Sequence, residues 1–145
     1  MIHIPKDIYS KLTFLSGESN YISNSPAVVY DDLGINFLAD LSKNLLGKDE
    51  IRKYPDVATF AFWCRSSNLK KIINNPFKND LRVGLGMVYH NSPSNVPINF
   101  AFSLAFGILS GNSSVIRLSS KESDSASFII SILTCLLYTS DAADE

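Results

Sequence analysis

The chain has 145 residues, 46% hydrophobic and 19% charged, an ordinary globular composition for one domain or for one piece of something larger. A chain of this size can bury roughly 70% of its unfolded surface, enough for a real core. A formal net charge of -1 excludes the basic footprint of a nucleic-acid binder, and two cysteines cannot make a disulfide framework, so a reducing, cytoplasmic setting is expected.

The opening residues, MIHIPKDIYSK, lack the apolar run of a signal peptide. Ser23 to Pro26 reads as a turn, and Ala27 to Tyr30 as a short strand with β-branched Val28 and Val29. Asp31 and Asp32 supply N-cap chemistry for a helix carrying Ile35, Leu38, Leu41 and Leu45, with Gly47 as its C-cap. A second helix is expected from Pro55 to about Ile73, bearing Val57, Phe60, Ala61, Cys64 and Leu69 on its apolar side. The cluster Asn74, Asn75, Pro76 stops it.

Leu81 to Tyr89 reads as a buried strand interrupted by Gly84 and Gly86. A helix is expected from Pro97 to Ser110, apolar nearly all round and therefore buried on several sides. Its thin polar or small stripe is Asn99, Ser103, Gly107 and Ser110. Gly111-Asn112 ends it, Ser113 to Leu118 forms a second strand, and SSKESDS caps a further helix starting near Ser123 or Asp124. Strand, helix, strand, helix is the βαβ pattern of a parallel sheet, so the fold class is α/β. The apolar runs Ile98 to Leu109 and Ala126 to Leu137 are both shorter than the roughly 20 residues a membrane span needs.

The last eleven positions, CLLYTSDAADE from Cys135 to Glu145, resemble the translated read-through of a transposase sequencing adapter. On that reading the natural sequence is cut near Thr134 and the chain is a fragment. Removing Asp141, Asp144 and Glu145 from the 14 acidic residues leaves 11 against 13 basic ones. Three segments are expected: a mixed α/β region over 1–80, a partial nucleotide-binding domain over 81–134, and the non-native tail over 135–145.

Individual residues offer few sites of their own. Gly84-Leu85-Gly86 is half of a dinucleotide fingerprint whose third glycine position holds Tyr89, so close packing explains the glycines better. His3 and His90 lie far apart, and no Cys/His/Asp spacing suits a metal. His90 fits a hydrogen-bonded structural imidazole, and Cys64 a buried, inert thiol. The loop Asn91 to Pro97, NSPSNVP, is different. It joins a strand C-terminus to a helix N-terminus, where open α/β sheets bind ligands, and two prolines stiffen the backbone around Asn95. Spacing leaves two roles open for the Asn95 amide: capping the helix, which spacing favours, or stabilising an oxyanion.

From Val83 to Lys121, VGLGMVYHNSPSNVPINFAFSLAFGILSGNSSVIRLSSK, the chain resembles the cofactor-binding domain of the aldehyde dehydrogenase superfamily. It is most similar to the acyl-CoA reductases, the LuxC-type fatty-acid reductases first associated with bacterial luminescence. Pro93-Ser94-Asn95-Val96-Pro97, the buried helix, Gly111-Asn112 and the strand ending at Arg117 carry the resemblance. It implies an aldehyde dehydrogenase-like fold and a cysteine thiolate that attacks the thioester carbonyl of an acyl-CoA. The acyl-enzyme then accepts hydride from a reduced nicotinamide cofactor and releases an aldehyde.

Asn95 matches the superfamily asparagine that stabilises the oxyanion, a contribution of about 3 kcal/mol. The resemblance assigns Ser92, Pro93 and Ser94, with Arg117, Ser120 and Lys121, to the cofactor. Arg117 stands where the superfamily usually has a lysine, and Ser120 where NAD-preferring members often carry a glutamate. Loss of that repulsion, with Arg117 and Lys121 nearby, implies NADPH as cofactor, with NAD tolerated.

The nucleophile of the superfamily lies downstream of the residues present, and neither Cys64 nor Cys135 substitutes for it. A homo-oligomer or a reductase complex is expected of the whole enzyme. The isolated fragment is expected to be inactive and prone to aggregate, with Phe100, Phe102 or Phe106 uncovered. Alternatives are a CoA-acylating aldehyde dehydrogenase, a non-catalytic nucleotide-binding module, or a small domain without a cofactor.

Overall fold

The computed structural model describes residue 10 and residues 12–17, 25–73 and 81–141. Part of the turn at Ser23 to Pro26, the stop at Asn74 to Pro76, His3 and the last four residues lie outside the described residues. The helices are α1 (Asp32–Leu46), a 3-10 helix (Asp49–Lys53), α2 (Pro55–Trp63), α3 (Ser66–Ile73), α4 (Asn99–Leu109) and α5 (Asp124–Asp141). Two strands, β1 (Met87–Asn91) and β2 (Ser113–Arg117), form a parallel sheet.

The spacing of apolar residues on α1 does what its periodicity implies. Ile35, Leu38, Leu41 and Leu45 are all buried, each leucine contributing about 1.5–3 kcal/mol by leaving water. They form the centre of a core shared with Val57, Phe60 and Ala61 of α2, Leu69 of α3, Phe100, Ala101 and Ala105 of α4, and Ile129 of α5. Ser42 is buried in this apolar setting because its hydroxyl donates to the Ala61 carbonyl at 2.6 Å, tying α1 to α2.

Gly47 is the C-cap of α1 as expected, whereas the N-cap makes no side-chain bond. Asp31 occupies the N-cap of α1, yet its carboxylate makes no capping bond; Asp32 in the first turn adds favourable charge instead. Gly47 ends α1 in a right-handed conformation, its N–H donating to the Lys43 carbonyl at 3.0 Å, so no left-handed glycine cap is used.

The helix expected over Pro55–Ile73 is two helices. Pro55 does begin α2, but the chain turns at Cys64 and Arg65 before α3 starts. The polar run Arg65 to Asn68 favours local bonding over helix continuation: the Asn68 amide donates to the Trp63 carbonyl at 3.1 Å, and its backbone N–H to the Arg65 carbonyl at 2.8 Å.

Ala27 to Tyr30 is not a full strand. Val28 makes a single antiparallel bridge with Val83, and the segment is clamped between two others by backbone bonds. Ala27 N–H donates to the Gly111 carbonyl and Val29 N–H to the Arg82 carbonyl, both at 2.9 Å, while Tyr30 N–H reaches the Leu109 carbonyl at 2.8 Å. Tyr30 then takes a left-handed φ of 60° to turn into α1.

The strand expected from Leu81 begins only at Met87 and extends to Asn91. The glycines and one asparagine explain the delay. A Cβ on Gly84 would run into the Gly111 carbonyl oxygen, so backbone meets backbone there and only glycine fits. Asn112 Oδ1 then accepts the N–H groups of Leu85 at 2.6 Å and Gly86 at 3.2 Å, bonds that a ladder would otherwise make. The close-packing reading of Gly84-Leu85-Gly86 stands.

Pro97 and Ile98 form a turn ahead of α4, so the helix starts two residues later than expected, with Ile98 at its N-cap. Phe100, Ala101, Ala105, Gly107 and Leu109 are buried, Phe102 is half-buried, and only Phe106 among the three phenylalanines is exposed. α4 packs against both strands. Ser123 starts α5 as expected, its hydroxyl accepting the Ala126 N–H at 3.4 Å, and the helix continues without a break past Thr134.

Candidate functional site at the carboxyl edge of the sheet

Parallel pairing brings the C-terminal ends of β1 and β2 to one edge. Asn91 stands opposite Arg117 in the register, and the next N–H, that of Ser92, donates to the Arg117 carbonyl at 3.2 Å. The loop after β1 and the turn after β2 therefore leave the sheet together, at the side where open α/β sheets hold their ligands.

The residues singled out from sequence fall on these two segments. Ser92, Pro93, Ser94 and Asn95 are on the first, and Arg117 with Ser120 and Lys121 ends the second. Ser94, Asn95, Arg117, Ser120 and Lys121 are exposed. The Asn95 side chain takes no hydrogen-bond partner among the described residues, and no side chain caps α4. Capping, which spacing favoured, is therefore not its role, because the turn at Pro97 moves the helix start away from it. No hydrogen bond joins Asn95 to Arg117 or Lys121; they belong to separate halves of one edge.

Ser92 is the unusual member. Its hydroxyl is buried and unpartnered at the first position of the loop, and a buried polar atom without a partner is costly. Arg117 Nη1 donates to Asn91 Oδ1 at 3.1 Å, across the strand ends. Lys121 is exposed, and its backbone N–H donates to Ser119 Oγ at 3.1 Å.

His90 lies one register position before this edge. Its Nε2 is 3.3 Å from Ser114 Oγ, linking the two strands. Gly107 of α4 sits over the pair: a Cβ there would strike Ser114 Oγ and approach His90 Nε2 to 3.3 Å. The imidazole is structural, as expected. Two asparagines had no role assigned from sequence. Asn112 follows a glycine at a helix end, which signals a turn, but nothing local reveals that its carboxamide reaches back to Leu85 and Gly86. Asn91 lay inside the recognised loop, and its link to Arg117 depends on strand register, which sequence alone does not give.

Cys64 is fully buried at the end of α2, and burial pushes its thiol up from the ordinary 9.0 to about 12. It should resist alkylation at pH 8 in the native protein and label readily after denaturation; mass spectrometry reads both, and native labelling at the rate of a free thiol contradicts its burial. The unfolded thiol ionises near 9 while the folded one keeps its proton, so this group's contribution to stability is intact below pH 9 and declines as pH rises toward 12.

The parallel β-α-β unit, with the loop after β1 and the turn after β2 leaving one carboxyl edge, is an α/β arrangement. The family model described as acyl-CoA reductase (LuxC) matches residues 64–144, more than half of the chain, and the chain belongs to that family. The matched range takes in β1, α4 and β2, and continues along α5 into the segment expected to be adapter-encoded. Comparisons with curated proteins and with solved structures gave no match. Among the described residues, no helix is long and apolar enough to cross a membrane.

Proposed function

We propose that this chain is part of a cytoplasmic, NADPH-dependent reductase that converts a fatty acyl-CoA, or a related acyl thioester, to its aldehyde through a cysteine acyl-enzyme. Membership of the acyl-CoA reductase family supports the oxidoreductase class and the acyl-CoA substrate. The observation that carries the finer reading is the shared edge of β1 and β2. There an unpartnered Ser92 hydroxyl, an uncommitted Asn95 amide and the Arg117 guanidinium lie on two adjoining segments.

These residues fit a dinucleotide cofactor. The buried Ser92 hydroxyl lacks a partner that a ligand's polar groups supply. Arg117 and Lys121 are exposed cations, and neither forms an ion pair among the described residues. Ser92, Pro93 and Ser94 would line the cofactor site, with Arg117, Ser120 and Lys121 holding its adenosine end. When bound, the reduced nicotinamide supplies hydride for the reduction.

Asn95 acts on the substrate. Its side-chain N–H groups donate to the thioester oxygen as negative charge builds there, and the flanking prolines keep the donor in place before the reaction begins. Cys64 does not suit the role of the nucleophilic cysteine, since it is buried and strongly protonated. An aldehyde dehydrogenase-like fold and a homo-oligomeric or complexed enzyme belong to the same proposal.

Cofactor choice follows from charge. Ser120 carries no carboxylate to repel a 2′-phosphate, and Arg117 and Lys121 attract one. Steady-state kinetics of the complete enzyme should give a higher kcat/KM with NADPH than with NADH. A strong NADH preference defeats this assignment.

A further inference from the structure

Resting on the cofactor site proposed above, we infer that Asn91 is a positioning residue that sets the preference between NADPH and NADH by holding the Arg117 guanidinium without neutralising it. The two residues are register partners at the last position of each strand, and Asn91 Oδ1 accepts from Arg117 Nη1 at 3.1 Å. The backbone bond from Ser92 N–H to the Arg117 carbonyl closes the same pair from the other side. Arg117 is thereby tethered at both main chain and side chain, although its side chain is exposed.

The chemistry of the tether decides the consequence. A guanidinium has five N–H donors in a planar fork. One is committed to Asn91, and the others remain free for an anion such as a 2′-phosphate. An aspartate at position 91 would orient the guanidinium equally well but cancel much of its charge. A carboxamide oxygen orients it and leaves the charge whole, which is what a phosphate-reading arginine needs. An unrestrained arginine at this exposed strand end would lose rotamer entropy each time a ligand bound. Asn91 removes part of that cost in advance.

The test uses the complete enzyme and fluorescence titration with NADPH and NADH separately, on wild type, Asn91→Asp, Asn91→Ala and Arg117→Ala. Asn91→Asp is nearly isosteric and exposed, so it leaves the fold intact. It should weaken NADPH binding by about tenfold, the effect of partly cancelling one charge near the phosphate, while NADH changes little. Asn91→Ala should shift the preference in the same direction by less, because the charge survives and only its orientation is lost. Arg117→Ala should remove the preference.

Equal losses for both cofactors in Asn91→Asp would mean a merely structural role and would overturn the inference. An unchanged NADPH-to-NADH ratio in Asn91→Asp, with the preference abolished in Arg117→Ala, would also overturn it while leaving the cofactor site standing. If Arg117→Ala keeps full NADPH preference, or the wild type prefers NADH, both the site assignment and the inference fall.

Discussion

Replacing Asn95 by alanine in the complete enzyme should lower kcat by about 10²–10³-fold, the usual cost of removing one oxyanion donor. The fold should be unaffected. Asn95 is exposed, holds no hydrogen bond among the described residues and does not cap α4, so its loss leaves no buried group unsatisfied. This separates a catalytic effect from a structural one: circular dichroism and thermal unfolding should match wild type while turnover collapses. KM for the acyl donor should change far less than kcat, because the amide acts on charge that develops only as the carbonyl is attacked. Retained turnover in Asn95→Ala would remove the oxyanion assignment.

The second large effect concerns the isolated 145-residue chain, which should self-associate and show no reductase activity. Alternate residues along the segment leading into and through β1, Leu81, Val83, Leu85, Met87 and Tyr89, are all exposed, with Leu85 at 93% of its full accessibility. Met87 and Tyr89 lie on one face of the strand itself. Phe106 adds a further apolar surface on α4, 56% exposed even though it stacks edge-on against Trp63 at 5.3 Å. A two-stranded parallel sheet also leaves backbone groups available for pairing with another chain. Light scattering and sedimentation velocity should show concentration-dependent assemblies. A monomeric chain with a single cooperative unfolding transition would contradict the expectation.

The sequence and the structure place the apolar surface behind the expected self-association differently. The sequence groups Phe100 and Phe102 with Phe106 as residues a fragment uncovers. Phe100 is buried in the helical core, and Phe102 packs edge-on against Phe60 at 5.0 Å. Helices α1 and α2 pack on that side of α4, and amphipathic spacing within each helix does not reveal which helix will meet which.

Local periodicity and punctuation made other parts legible. The buried face of α1, the start of α2 at Pro55, the order β1-α4-β2 and the Ser123 cap of α5 all follow from residues close together in the chain. Features that depend on distant partners were not legible. The split between α2 and α3 needed the Asn68 amide to find the Trp63 carbonyl. The late start of β1 needed Asn112 to take the Leu85 and Gly86 N–H groups across the sheet.

The candidate site shows the same division. Ser92 to Asn95 and Arg117 to Lys121 were identifiable as strand-end residues, whereas their adjacency, the orphaned Ser92 hydroxyl and the Asn91 tether depend on parallel register. The role of Asn95 was open on spacing because a loop asparagine before a helix caps it more often than it does anything else. Two residues of turn, Pro97 and Ile98, settle the capping question against that default.

The most direct measurement is a crystal structure of the complete enzyme with NADPH bound. The adenosine 2′-phosphate should lie against Arg117 and Lys121, with the nicotinamide ring on the side of the sheet edge that carries the Asn95 loop. Density for the cofactor at any other part of the molecule would contradict the placement of reduction chemistry at the carboxyl ends of these two strands.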